Sequence, residues 1–599
     1  MRSLVAAVIL LLVAAPAPAH AQIDQSAQAL SGLWYNQVVF TPEAQGALTV
    51  RRSGAHWRAS IRNINAIDSG DGDELRFHFG EHGDFRGKLN GDAIEGFWIQ
   101  PMTQNGSAER FATPLTLRRN GATWSGDVKP VPDTLTLYLD IFTDTDGKLK
   151  AAFRNFENNA RGGASQFLVT QSGDTVNFDA PSGDGSSVHH QGAILHDPDR
   201  IRIAWQDLNH TFDLARASPR DAAGFYPRPP GASAYVYRQP EQTDDGWRTA
   251  RAADAGIDEA ALARAVQHII DGDPASRRPS LIHSMLVAHR GRLVLEEYFF
   301  GTDREMTHDI RSAGKTFGSV MLGTAMQRGV SISPDTHIYP LLSAMGPFAN
   351  PDPRKDQITL TDLMTHTAGL ECNDNDDNSV GNEGRMASQT EQPNWWKYTL
   401  DLPMAHDPGQ RYAYCSANEN LVGAAITTAT HTWLPEWFDR TIAQPLQFGR
   451  YYWNLMPNGE GYLGGGAFMR PRDLLKLGQT YLDGGVWNGR RIVSGDWVRQ
   501  STTARIEVSP ATTGLTQEEF ENFYVPAQDG YAWHLAQTHA NGRDYATYMA
   551  TGNGGQLLIV IPECDLAVVF TGGNYMQGGI WLRWRDDIVG AIIIPGLRN

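Results

Sequence analysis

The sequence predicts a multidomain protein: an N-terminal all-β, antiparallel, barrel-like domain, then an α/β domain. Three observations carry this. Alternating apolar and polar runs broken by Gly turns fill the chain up to residue 216, without long helical periodicity. A Pro-rich stretch follows at 217–250, holding Pro219, Pro227, Pro229, Pro230 and Pro240. From 251 onward helical spacing mixes with apolar strands at both ends of the segment. At 599 residues, two or three domains are expected.

Residues 1–21 read as a signal peptide. Arg2 gives a positive start, Leu4 to Ala15 is an apolar run too short to span a membrane, and Ala19-His20-Ala21 is a small-x-small cleavage site. The expectation is an exported chain, periplasmic or secreted, with no transmembrane segment after cleavage. A net charge of −16 argues against nucleic acid as a partner.

Residues 22–216 form the β-rich domain. LTLYLDIF (135–142), the turn DTDG and KLKAAFRN make a hairpin signature. Phe77 and Phe178, Trp98 and Trp205, and Leu117 and Leu214 recur about 100 residues apart in similar settings. The spacing suggests a duplicated, lipocalin-like unit, built as two small barrels or one larger one. The linker is 217–250 and the second domain 251–599. Asp258 caps a helix over 257–270, further helices are expected near 312–328, 359–366, 418–430 and 471–482, and 580–592 is a terminal helix. LLIVIPE and DLAVVFTGG are late strands, so the two ends of this domain build its sheet.

Ser312-Ala313-Gly314-Lys315 opens the apolar helix. Positions i and i+3 share a helix face, which brings the lysine amine to the serine oxygen. Burial would lower the proton affinity of that amine and let it take the serine proton. By itself Ser-x-x-Lys is a weak signal, equally an N-cap serine with a solvated lysine.

With its surroundings the motif resembles the serine β-lactamase and penicillin-binding-protein superfamily. VAHRGRLVLEEYFFG, LTDLMTHTAGL, PGQRYAYCSANENLVG and the long segment 464–498 resemble family segments in order and spacing over roughly 284–575. The resemblance implies a sheet flanked by helices plus a helical subdomain. It makes Ser312 the nucleophile and Lys315 and Tyr414 the proton-handling partners. Ser416 stands where the family carries Asn, and is expected to orient the lysine. The third motif falls on Ala550-Thr551-Gly552 with Asn553 following, near the oxyanion hole; Ala550 supplies no cation. These departures point to ester or small-amide hydrolysis, closest to esterase and 6-aminohexanoate-oligomer hydrolase relatives. The alternatives are a β-lactamase or D-amino-acid peptidase, and an inactive penicillin-binding-like sensor. A small-molecule substrate, no metal and no cofactor are expected.

Of the three cysteines, Cys372 and Cys415 lie in loop-like segments beside motifs and are expected to pair, leaving Cys564 buried; three unpaired thiols is the alternative. The loop 373–383 fails the calcium-loop pattern and reads as a solvated loop at the site mouth. His366 and His534 sit in loops that resemble the family's and read as packed histidines, with a place just behind the catalytic residues as the alternative.

Overall fold

A computed structural model describes residues 29–598, apart from 41, 55, 68–73, 106–108, 159–160, 182–185, 197–198, 207–208 and 526. The signal-peptide reading lies outside the described residues. Among them, no helix is long and apolar enough to cross a membrane.

Eight antiparallel strands close a barrel. Its first, Gly32–Val39, pairs with Thr134–Thr143 on one side and His210–Arg216 on the other. Inward-facing Trp34, Leu137, Phe153, Phe178 and Trp205 fill it. Between Gly32–Val39 and Thr134–Thr143 the chain makes a second β unit, whose eight strands run from Gly46 to Val128. Each unit contains a four-strand meander. In one it is Glu74–His78, Asp84–Asn90, Ala93–Ile99 and Arg110–Asn120; in the other it is Thr175–Pro181, Ser187–His196, Asp199–Trp205 and His210–Arg216. Phe77 and Phe178 lie in the first strands, Trp98 and Trp205 in the third, Leu117 and Leu214 in the fourth, and all six are buried. The strand beside the fourth differs in origin. The first unit uses Thr123–Val128, from its own end; the barrel uses Gly32–Val39, from the start of the chain.

After 216 the chain has no strand until Ile282. The Pro-rich segment is nonetheless pinned to the second half of the chain: Tyr235 donates to Glu297 at 2.7 Å, Tyr237 to the Val294 carbonyl at 2.9 Å, and Trp247 is buried against Trp487. The second half is built on an eight-stranded antiparallel sheet. Its order is Arg292–Tyr298, Ile282–His289, Leu566–Gly572, Gln556–Ile561, Arg543–Gly552, His534–Ala540, Ala527–Asp529 and Ile506–Val508. The early and late strands thus lie side by side. Strand alternation sorts the two faces: Leu286 and Ala288 pack with the helices Lys315–Gln327, Ser416–Thr430 and Pro471–Leu482, while Met285 and Val287 pack with Glu259–Ile270 and the terminal helical turns. Asp258 caps Glu259–Ile270, accepting from Ala260 N.

A third sheet joins the halves. Arg110–Asn120 of the first β unit pairs with Tyr452–Leu455, which pairs with Ala467–Met469, which pairs with His308–Asp309. That last short strand ends three residues before Ser312.

Candidate active site

The turn Arg311–Gly314 is 3-10, and the helix Lys315–Gln327 continues it with eleven buried residues. Arg311 holds φ at +48°, a left-handed backbone unusual for a side chain of its size. Asp309 fixes it, accepting from Arg311 N at 2.9 Å and pairing with Nε at 2.7 Å. Gly552, ending the strand Arg543–Gly552, passes so close that a Cβ there would sit 2.4 Å from the Ile310 carbonyl and 3.1 Å from Ala313 N. Only glycine lets the strand approach the serine turn this way.

Lys315 Nζ donates to Ser312 Oγ at 2.9 Å and also to the Gly464 carbonyl. Its ammonium lies 5.1 Å from the Tyr414 ring centroid, and both Ser312 and Lys315 are close enough to the Tyr414 phenol to favour its ionised form. Burial works against the lysine charge, but Tyr414, Glu383 and Asp374 outweigh it and hold the pKa above its ordinary value. This corrects the expectation of a lysine with reduced proton affinity: desolvation was foreseen, the surrounding carboxylates were not. Burial lifts the Tyr414 phenol, with Lys315 pulling the other way.

No hydrogen bond joins Ser416 to Lys315 among the described residues. Ser416 keeps its hydroxyl buried with no hydrogen-bond partner among the described residues, and its N–H is tied to Asp374 at 2.7 Å. As first residue of the helix Ser416–Thr430 it is held by its backbone, and Gly464 takes the lysine-holding role. Thr551 lines the small pocket shared with Ser312, Lys315 and Tyr414. Ala550 packs into the core behind it. The Asn553 side chain accepts from Met576 N at 2.9 Å and is not among the residues lining the pocket with Ser312. Ser312 N lies beside Gly465, where an added Cβ would sit 3.6 Å from it.

The two histidines weighed from the sequence do lie at the site, whereas the carboxylates around it were missed. His366 and His534 line the pocket with Ser312, as does Asp529. His534 Nδ1 lies 2.7 Å from Asp529 Oδ1; despite burial, the pair holds the imidazole pKa up and the carboxyl pKa down. Burial drives His366 down to about 3, so it is neutral, and its Nδ1 accepts from Cys415 N at 3.4 Å. Glu419 is fully buried beside Lys315, neither carboxyl oxygen has a partner among the described residues, and burial lifts its pKa to about 8. The loop 373–383 is solvated only in part: Asp376, Asp377, Asn378 and Val380 are exposed, but Asp374 caps Ser416 N and Glu383 accepts from Tyr462.

Cys372 and Cys415 are disulfide-bonded, with Cα atoms 5.6 Å apart. Cys564 is unbridged and half-exposed in a turn, not buried. Among the described residues no His, Cys, Asp and Glu cluster could hold a metal ion.

An antiparallel sheet packed on a helix that opens with Ser-x-x-Lys defines a β-lactamase-fold hydrolase. The chain belongs to the Beta-lactamase family, whose model matches residues 263–573. A 6-aminohexanoate-dimer hydrolase of Paenarthrobacter ureafaciens is 25% identical over 159 residues, 26% of this chain and 38% of that protein's length. Similar solved structures include EstCE1, a hydrolase with promiscuous acyltransferase activity (16% identity, 55% of this chain and 98% of that one, TM-score 0.43). Another is a penicillin-binding protein homologue from Caulobacter crescentus (13% identity, 52% and 91%, TM-score 0.41).

Proposed function

We propose that this protein cleaves small esters or amides through an acyl-enzyme on Ser312. The observation that carries the reading is the 2.9 Å hydrogen bond from Lys315 Nζ to Ser312 Oγ, with Tyr414 close to both groups. Ser312 Oγ attacks the carbonyl carbon, and its proton passes to the Lys315–Tyr414 pair once that pair has shed one of its own. Ser312 N, with a backbone N–H from the Thr551–Gly552 strand end, meets the developing oxyanion. The same pair returns a proton to the leaving alcohol or amine, and water then releases the acyl group. The 6-aminohexanoate-dimer hydrolase relative and the Ala550 and Ser416 departures favour this substrate class over β-lactams. The Cys372–Cys415 bridge supports an exported protein, because such bonds persist in oxidising compartments.

The test is covalent labelling. A fluorophosphonate probe is expected to add one equivalent to the wild type and nothing to Ser312→Ala, with both proteins equally folded by circular dichroism. Labelling of the Ala variant at another residue would sink the assignment.

A further inference from the structure

A cavity of about 330 Å³ opens between the N-terminal β units and the hydrolase half. Arg311, the residue before the nucleophile, lines it from one side; Glu109 and Phe111, from the first β unit, line it from the other. We propose that this cavity is a substrate pocket for an alkylammonium-bearing group, with Glu109 as the counter-charge, a reading that rests on Ser312 being the nucleophile.

The charges in the wall are unevenly satisfied. Four carboxylates line the cavity, Glu109, Glu157, Asp303 and Asp309, against one guanidinium, Arg311. Arg311 is taken by Asp309 at 2.7 Å. Glu157 accepts from Thr134, Thr136 and Asn155, and Asp303 caps Glu305 N and Met306 N. His283 and His308, also in the wall, are held neutral mainly by burial. Glu109 has, among the described residues, a single long side-chain donor, Asn454 Nδ2 at 3.4 Å. Burial, with Asp309 near, lifts its carboxyl to about 7 although Arg311 pulls it the other way, so the guanidinium that Asp309 holds does not fully offset the buried charge. Phe111 and Phe468 meet edge to face at 5.2 Å in the same wall, while the Tyr575 ring is already covered by the Arg311 guanidinium at 5.0 Å. A carboxylate among aromatic faces is the chemistry that recognises an alkylammonium.

The pocket is also coupled to the nucleophile. Asn454, which touches Glu109, packs so tightly on Gly466 that a Cβ there would lie 2.7 Å from its Nδ2. Gly465, next in the chain, abuts Ser312 N, and Gly464 holds Lys315. One loop of three glycines therefore separates Glu109 from the reacting serine. Glu109 is held in place by the ladder that starts one residue later, where Arg110 lies opposite Leu455.

Two measurements on the full chain test this. The first is the ratio of kcat/KM for butyrylcholine to that for its neutral isostere, 3,3-dimethylbutyl butyrate. The wild type should favour the cationic ester by about tenfold, and Glu109→Gln should bring the ratio near one, chiefly through KM. A ratio that survives in Glu109→Gln, including one where both esters slow alike, overturns the proposal. The second is calorimetric binding of choline to Ser312→Ala, with and without Glu109→Gln. Binding weakened about tenfold by Glu109→Gln supports the pocket even if neither ester is turned over, in which case the hydrolase reading fails alone. Equal choline binding, or none to either protein, overturns it.

Discussion

Trp453 of the hydrolase half lies directly opposite Ala112 of the first β unit in one antiparallel ladder. Thr113 donates to the Tyr451 carbonyl at 2.8 Å, and Tyr452 donates to the Lys129 carbonyl at 3.0 Å. The β units therefore cover what would be a bare edge of Tyr452–Leu455, buried along its whole length. The first prediction is that a chain beginning at 251 exposes this edge and associates through it. Size-exclusion chromatography should show oligomers or aggregates where the full chain does not. A monodisperse truncated monomer with unchanged melting temperature would show that the ladder is dispensable.

The second prediction concerns pH. Lys315 and Tyr414 are both held above their ordinary pKa values, Lys315 by its neighbouring charges against burial and Tyr414 by burial. In the resting state both carry their protons, so the base forms only when the cluster loses one. Activity should rise with pH through the alkaline range, as a property of the pair and not of one residue. Tyr414→Phe should lower kcat/KM by about 100- to 10,000-fold while Ser312 remains in place. A flat profile from neutral pH upward, or a Phe variant with near-normal turnover, would remove Tyr414 from the mechanism.

How much of this could be read from the sequence depends on distance along the chain. Ser312 and Lys315 are three residues apart, and helical geometry alone brings them together. The helix Leu360–Met364, expected near 359–366, was legible because helical periodicity is local; its capping box, made by Thr359 and Asp362, is a feature the structure adds. The barrel closure by Gly32–Val39 was not, because a strand carries no mark of its partner, and this one skips a whole unit to pair with Thr134–Thr143. Glu383, Asp374, Glu419 and Asp529 were missed because their effect on Lys315 and on the histidines comes through tertiary packing. An acidic loop such as 373–383 has the same composition whether it is solvated or, as here, partly folded against a helix start.

The third prediction follows from Glu419. Its pKa is raised by burial from about 4.5 to about 8, so the folded state holds a proton that the unfolded chain has lost. The stability it contributes is full below about 4.5 and disappears as pH rises through about 8. Urea unfolding should therefore show the wild type losing on the order of 3 kcal/mol from this group between about pH 5 and 8. Glu419→Gln, uncharged throughout, should show a correspondingly shallower decline. Parallel stability curves for the two proteins would mean that the carboxyl is not protonated in the fold.

The last prediction concerns substrate charge. Neutral short-chain esters should be turned over better than β-lactams, which carry a carboxylate near the scissile bond. Ala550 is buried in the core behind the pocket-lining Thr551 and offers no cation. Arg470, the residue of FMRPRD that could have replaced one, is committed: its Nε donates to Asp473 at 2.8 Å and its Nη1 reaches Glu305 at 3.4 Å. Arg311 is paired with Asp309. Lys315 already faces the charges of Glu383 and Asp374, which would repel a second anion brought to the serine. Burying an unpaired carboxylate there costs more than burying a neutral group of the same size. The comparison is kcat/KM for p-nitrophenyl butyrate against nitrocefin under one buffer. An advantage of tenfold or more for nitrocefin would contradict the charge argument, and would point to a guanidinium leaving its present partner when the carboxylate binds.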